Sequence, residues 1–263
     1  MASPPVNELS GDFEFFGDAL TLRANLVSWD SDAFGVPVAQ IADVRVRDAS
    51  AAMRDYGAFR SWLDARDVRI ASARLPHDRL RESMFLEAHD FRFVEMVLHP
   101  TIENLQGLVI PPHDLTVTAA EDSDLPSLRS LAERVFRHER FHVDPRLDPK
   151  IGDLRYGRWV QNSLGHPVQR LLKIEDADQL VALFLVEHKA DRSAYWHLTG
   201  VSPACQGRGY GHRVWQSMLR YHQKSGCERL TTTISARNVA VLNLYAKLGF
   251  RFLPPDMTFH WVR

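Results

Sequence analysis

Apolar positions recur at helical spacing between residues 209 and 222, at Val214, Trp215, Met218, Leu219 and His222, and predict a helix there that Gly226 closes. Apolar stretches on either side, Tyr195–Val201 and Arg229–Ile234, read as strands, and a second helix runs from about Val239 to Lys247 before Gly249. Upstream, Leu115–Thr118 reads as a strand. Glu121–Arg137 is a helix carrying Leu125, Leu128, Leu131, Ala132, Val135 and Phe136 on one side, with acids at its start. Asp153–Ser163 is another helix, with Tyr156 and Trp159. Val168–Ile174 and Gln179–Lys189 form a hairpin about Glu175–Asp178.

The N-terminal part has its own pattern. Leu20–Leu26 alternates like a half-buried strand. Val36–Val46, Val68–Ala73 and Phe91–Leu98 read as strands, and Ala49–Ala65 and Arg79–Ala88 as helices. Between the first two strands, Trp29–Gly35 reads as a turn. Its two aromatics are either buried rings or a wall of a binding cleft. Residues 1–12, with Pro4 and Pro5, read as a loose tail.

Set at one constant offset, Phe85–Phe93 lies on Leu244–Phe252. Leu86 then falls on Tyr245, Arg79 on Asn238 and Asp90 on Gly249. The repeat implies an internal duplication. The first copy has no counterpart of the glycine-rich turn at 206–211. The expected division is an N-terminal domain over 1–105, a linker over 106–114 marked by Gly107, Pro111 and Pro112, and a C-terminal domain over 115–263.

Composition narrows the function classes. The 263 residues are 45% hydrophobic and 25% charged, which are globular values. A formal net charge of −1 argues against a nucleic-acid partner held by a general basic field. Two cysteines, Cys205 and Cys227, are too few for a disulfide scaffold and suit a reducing cytoplasm. No apolar run reaches the ~20 residues of a membrane span, and the N-terminus lacks the pattern of a signal peptide.

The chemistry gathers at Gln206-Gly207-Arg208-Gly209-Tyr210-Gly211, followed by His212. Glycines let backbone approach a ligand, and the N-terminus of the next helix favours a phosphate or pyrophosphate. Arg208 can add a guanidinium. The order is neither Walker A nor G-x-G-x-x-G, and the bland alternative is a tight connection.

Downstream come Asn238, Asn243, Tyr245 and Gly249-Phe250. With Gln206, Gly209 and Gly211 in Q/R-x-x-G-x-G/A order, this constellation resembles the GNAT superfamily of N-acetyltransferases. The resemblance implies an α+β GNAT fold over the C-terminal domain, with a mixed, mostly antiparallel sheet flanked by helices, preceded by a degenerate GNAT-like half. It implies acetyl-CoA as acyl donor, held by the 206–212 segment, by backbone groups at Leu198, Thr199 and Val201, and by Asn238 and Asn243. It implies that Tyr245 protonates the departing sulfur. Tyr245 also reads as a core tyrosine, and Asn238 as a helix N-cap. The base is open among Glu187, His188, His197 and His260, with His197 entered as the candidate.

The whole chain, including the Trp29–Gly35 stretch, also resembles two-domain GNAT enzymes that acetylate the 4-amino group of dTDP-linked deoxyaminosugars. That implies a small-molecule amine acceptor, such as a nucleotide-sugar. Other small amines, a protein amine and a non-catalytic acyl-CoA sensor stay open, as does a homodimer.

His138-Glu139-Arg140-Phe141-His142 is a literal H-E-x-x-H. Asp144-Pro145 follows at once and no suitably spaced third His appears, so no metal site is expected. The acceptor-binding candidates are Trp29, Phe34, His138, Arg140, His142 and Tyr156. A solvated charged loop is the alternative for the 136–148 run.

Overall fold

The computed structural model describes residues 12–112 and 115–263. The expected tail up to Gly11 and the linker residues His113 and Asp114 lie outside the described residues.

The first half runs β1 (Phe13–Phe16), β2 (Leu20–Leu26), α1 (Ser28–Phe34), β3 (Val38–Val46), α2 (Ala49–Ala65), β4 (Ile70–Pro76), α3 (Leu80–Ala88) and β5 (Arg92–Ile102). The second runs β6 (Thr116–Ala119), α4 (Leu125–Val135), the short α5 (Arg140–Val143), α6 (Lys150–Ser163), β7 (Gln169–Asp176), β8 (Gln179–His188), β9 (Ser193–Val201), α7 (Tyr210–Lys224), β10 (Arg229–Thr232), β11 (Ile234–Ser235), α8 (Val239–Lys247) and β12 (Arg251–Val262). One expectation is overturned here: 28–34 is a helix, not a turn. Gly35, at φ 70°, closes it by donating its N–H to the Ser31 carbonyl. The Ser31 hydroxyl donates to the Val27 carbonyl at 2.8 Å and accepts from the Val38 N–H at 2.9 Å, locking the helix to β3.

Among the described residues the strands form one sheet, in the order β1-β2-β3-β4-β12-β5-β10-β9-β8-β7-β6, with β11 also on β5. The order shows an exchange. β12, the last strand of the second half, lies between β4 and β5 of the first half. β5, the last strand of the first half, pairs with β10 of the second. Each half thus completes the other's sheet.

The duplication is visible in the backbone. At the offset that sets Leu86 on Tyr245, α3 and α8 superpose end on end, and the starts of β5 and β12 coincide. Leu86 and Tyr245 are both fully buried. Asp90 (φ 67°) and Gly249 (φ 82°) share the left-handed conformation that ends each helix. The helix before them differs in one respect. The Asp48 carboxylate caps α2 by accepting the Ala51 N–H, whereas α7 starts at Gly209 with no side-chain acceptor.

Three apolar clusters follow from these layers. α2 and α3 pack on β2–β4, and the cluster takes in Met257, Phe259 and Trp261 from the exchanged β12. α7 and α8 cover one face of β8–β10, while α4 and α6 cover the other. His222 of α7 is fully buried. Its Nε2 accepts from Trp196 Nε1 at 2.8 Å, so Nδ1 carries the proton, which it donates to His188 Nε2 at 3.1 Å. Burial, and secondarily His188, push its pKa down to about 3.

Two predictions follow from this packing. Chemical unfolding should show a single transition by both far-UV signal and tryptophan fluorescence, and Trp261→Ala should shift all of it by about 3–5 kcal/mol. Two separable transitions would contradict the shared sheet. Because the folded-state pKa of His222 lies below its unfolded value, the stability tied to its neutral form is present above about pH 6.5 and is lost as pH falls toward 3. A Tm that falls over that window in the native chain, and falls less in His222→Phe, checks this.

Candidate active site

β9 and β10 run parallel and pair from Ser193↔Arg229 to Trp196↔Thr232, and no pairing continues beyond. The strands splay at that point because β9 carries an extra residue. Leu185 opposes Leu198 while Val186 opposes Trp196, so His197 is a bulge. The bulge also reverses the side-chain alternation. Ala194 and Trp196 face the α7/α8 cluster, yet Leu198 joins the α4/α6 cluster. Strict alternation would set His197 and Thr199 on one face. The bulge separates them: the His197 ring lies 5.9 Å from Trp159, while Thr199 reaches toward Tyr245.

The splay opens a cleft of about 660 Å³ counting its mouth. The second half lines it with His197–Thr199, Thr232–Ser235, Asn238, Val241 and the 135–139 connection. The first half contributes Arg74, Glu95 and Val97. Arg74, Thr258 and Glu95 form a row across β4, β12 and β5, since Thr258 is in register with both. Arg74 Nε donates to Thr258 Oγ1 at 3.2 Å, and its Nη2 lies 3.6 Å from Glu95 Oε1.

Past Val201, at the splayed end of β9, the glycine-rich turn takes the geometry its sequence requires. Gly207 and Gly209 have φ of 71° and 80°. The Gln206 amide donates to the Val201 carbonyl at 3.0 Å, which ties the turn to the end of β9. Arg208 folds back on the Ala204 carbonyl. Tyr210 is turned away from the turn, donating to Asp176 at 2.6 Å under the Arg213 guanidinium. Gly207, Gly209 and His212 are exposed. Uncapped amides at the start of α7, preceded by two left-handed glycines, fit an anionic group such as a pyrophosphate. Asn238 caps α8 by accepting the Val241 N–H and also lines the cleft. Asn243 is exposed on α8.

Tyr245 is fully buried, with ring centroids 4.6 Å from Phe250 and 6.1 Å from Trp215. Burial pushes its phenol up to about 12, against the hydrogen-bonding pull of Trp215, Thr199 and Thr232. Thr199 and Thr232 line the cleft, so the phenol stands one side chain behind its wall. His197 Nε2 is 2.9 Å from Glu187 Oε2, and its Nδ1 has no partner. Burial lowers its pKa and Glu187 opposes the shift.

Glu95 is the residue that sequence reasoning missed. It is 2% exposed, and neither carboxyl oxygen has a hydrogen-bond partner. Burial, then repulsion from Glu139, pushes its pKa up to about 7, with Arg74 and Arg140 pulling back. A lone acid in the apolar run Phe91–Leu98 was the available signal.

Of the acceptor-binding candidates, His138 is exposed and lines the cleft. The other five form the layer behind it. Arg155 Nε donates to Asp30 at 2.7 Å and lies over Trp29; Arg140, at 3.8 Å, shares that carboxylate. Phe34 meets Phe141 edge-on at 4.8 Å, His142 pairs with Asp153 at 2.9 Å, and Tyr156 is fully buried. This layer pins α1 of the first half to α5 and α6 of the second. Only 140–143 of the H-E-x-x-H stretch is helical, so its two histidines do not share a helix face.

Residues 126–250 match the model of the Acetyltransferase (GNAT) family. A mycothiol acetyltransferase of Renibacterium salmoninarum is 30% identical over 87 residues, 30% of this chain and 25% of that protein. The chain thus spans about a quarter of that relative's length. The dTDP-fucosamine acetyltransferase of Escherichia coli O6:H1 is 23% identical over 167 residues, 61% of this chain and 70% of that protein. Among solved structures, a tandem GNAT protein from the clavulanic acid biosynthesis pathway superposes with a TM-score of 0.64 at 14% identity, over 98% of this chain and 84% of that one. The chain has the GNAT fold, and its 126–250 segment matches the GNAT acetyltransferase family model.

Proposed function

We propose that the protein is an acetyl-CoA-dependent N-acetyltransferase that moves the acetyl group directly to a primary amine of a small molecule. A nucleotide-linked aminosugar is the leading acceptor class. The observation that carries this reading is the splay of β9 from β10 at the His197 bulge, which opens a polar cleft on the strand that leads past Val201 to the uncapped start of α7. Acetyl-CoA, when bound, supplies a thioester carbonyl as electrophile.

The rest of the chemistry belongs to the chain. Amides of the 207–211 turn and α7 hold the pyrophosphate, with Arg208 as an added cation. Beyond Trp196 the edge of β9 has no strand partner on the β10 side, so backbone groups at Leu198, Thr199 and Val201 are available to the pantetheine arm and the carbonyl oxygen. Asn238 adds an amide at the cleft wall. Tyr245, held protonated by its raised pKa, returns a proton to the departing sulfur. His197, with Nδ1 unpartnered, is the titratable side chain that the second half itself brings to the cleft.

The acceptor enters where Arg137, His138 and Glu139 meet Arg74. The dTDP-fucosamine acetyltransferase relative favours an aminosugar carried on a nucleotide. The mycothiol acetyltransferase relatives favour a second reading, another small amine. Among the described residues no helix is long and apolar enough to cross a membrane.

Calorimetric titration should show acetyl-CoA binding that Gly209→Val weakens at least tenfold. A β-branched residue at φ 80° costs about 1–2 kcal/mol and blocks the backbone's approach to phosphate. Unchanged affinity would remove the turn from the donor site. Tyr245→Phe keeps the packing against Trp215 and Phe250 and should lower kcat about 100-fold with acetyl-CoA affinity intact. Undiminished kcat would take Tyr245 out of the reaction.

A further inference from the structure

We propose that Glu95, carried into the shared sheet on the exchanged strand β5, is the base that takes the proton from the acceptor's ammonium. The proposal rests on the acetyltransferase reading and deepens it. It makes the reaction depend on a residue from the half that lacks the donor-binding turn.

Position argues first. Glu95 lines the same cleft as Thr199, Thr232 and Asn238, and it enters on a strand of the first half. Its carboxyl is buried with no hydrogen bond to either oxygen, and its one close ion pair is Arg74 at 3.6 Å. Burying a carboxyl without hydrogen bonds costs stability, and the packing of β5 against β12 does not require one there. An incoming donor would satisfy it, and an ammonium is such a donor.

The surrounding charges point the same way. Arg74 on β4 faces Glu95 at 3.6 Å, Arg140 approaches from α5, and Glu139 approaches from the connection before it. Tyr156 of α6, Ser235 of β11 and Thr258 of β12 complete the surroundings. Two carboxylates that repel each other across a cleft favour a cation between them. Burial first, and Glu139 second, raise the Glu95 pKa toward the operating pH, where a general base is most effective. His197 is the weaker alternative. Its Nε2 is engaged by Glu187, and burial lowers its basicity. His197 is then a positioning residue at the bulge.

The step balances. A proton passes from the acceptor's ammonium to the Glu95 carboxylate. The freed amine lone pair forms the C–N bond to the acetyl carbonyl carbon of acetyl-CoA. The C–S bond breaks, and the thiolate takes a proton from Tyr245; the new amide nitrogen gives up its second proton, which returns to Tyr245 through solvent, while Glu95 releases the first to bulk water, so one proton is freed per turnover.

The test compares the full-length native chain with Glu95→Gln and His197→Gln, using acetyl-CoA with methylamine and with dTDP-fucosamine as probe acceptors. Native kcat/KM should rise with pH through an apparent pKa near 7. Glu95→Gln should lower kcat/KM by about 100- to 1000-fold and flatten that limb, with acetyl-CoA affinity unchanged by calorimetry. The variant should still unfold in a single transition at pH 8, so that lost turnover is not lost structure. His197→Gln should keep the limb. Glu95→Gln turnover within threefold of native with the limb retained overturns the proposal, as does a limb lost in His197→Gln instead. Native protein that binds acetyl-CoA yet transfers to neither probe, nor to a wider panel of small primary amines, overturns the acetyltransferase reading, and the role of Glu95 falls with it.

Discussion

The exchange of the last strands, β5 and β12, is the constraint on which the rest of the molecule depends. β4 and β10 each meet, on one side, a strand from the other half of the chain, held by backbone hydrogen bonds along the whole contact. A sheet built this way cannot lose one half and keep the other. It also brings side chains far apart in sequence into one row. Arg74, Thr258 and Glu95 are adjacent because β12 threads between β4 and β5.

The two halves divide the work unequally. They share a helix-strand unit in which both ends of the helix and the start of the strand coincide to the residue, down to the left-handed residue that ends α3 and α8. They differ at the start of the preceding helix. Asp48 occupies the first amides of α2 with its own carboxylate, whereas Gly209 leaves those of α7 open. The packing partner also differs, Leu86 against Tyr245. The first copy thus keeps its packing without an anion site, and it lends the cleft Arg74 and Glu95.

The second half was largely legible in the sequence. The helical period over 209–222 matches α7 at Tyr210–Lys224, and the hairpin about Glu175–Asp178 is β7 and β8. These segments have clear periods and glycine boundaries. The constant offset was legible too, because it needs only local similarity. The exchange was not, since pairing between β5 and β10 leaves no local signature. The bulge at His197 was equally hidden, and with it the separation of His197 from Thr199. Charge misled in the 136–148 run, where Arg140 and His142 read as solvated or acceptor-facing. The structure instead ties them to Asp30 and Asp153 in a buried layer behind the cleft. Glu95 read as an ordinary strand position, because a lone acid in an apolar run does not reveal that it is buried in a cleft wall.

The measurement that tests the account most directly is a crystal structure of the protein with a non-hydrolysable acetyl-CoA analogue. The account predicts the pyrophosphate on the amides of 207–211, the pantetheine arm between the splayed ends of β9 and β10, and the thioester end opening toward Glu95. A cofactor bound outside that splay, or an acyl end walled off from Glu95, would contradict it.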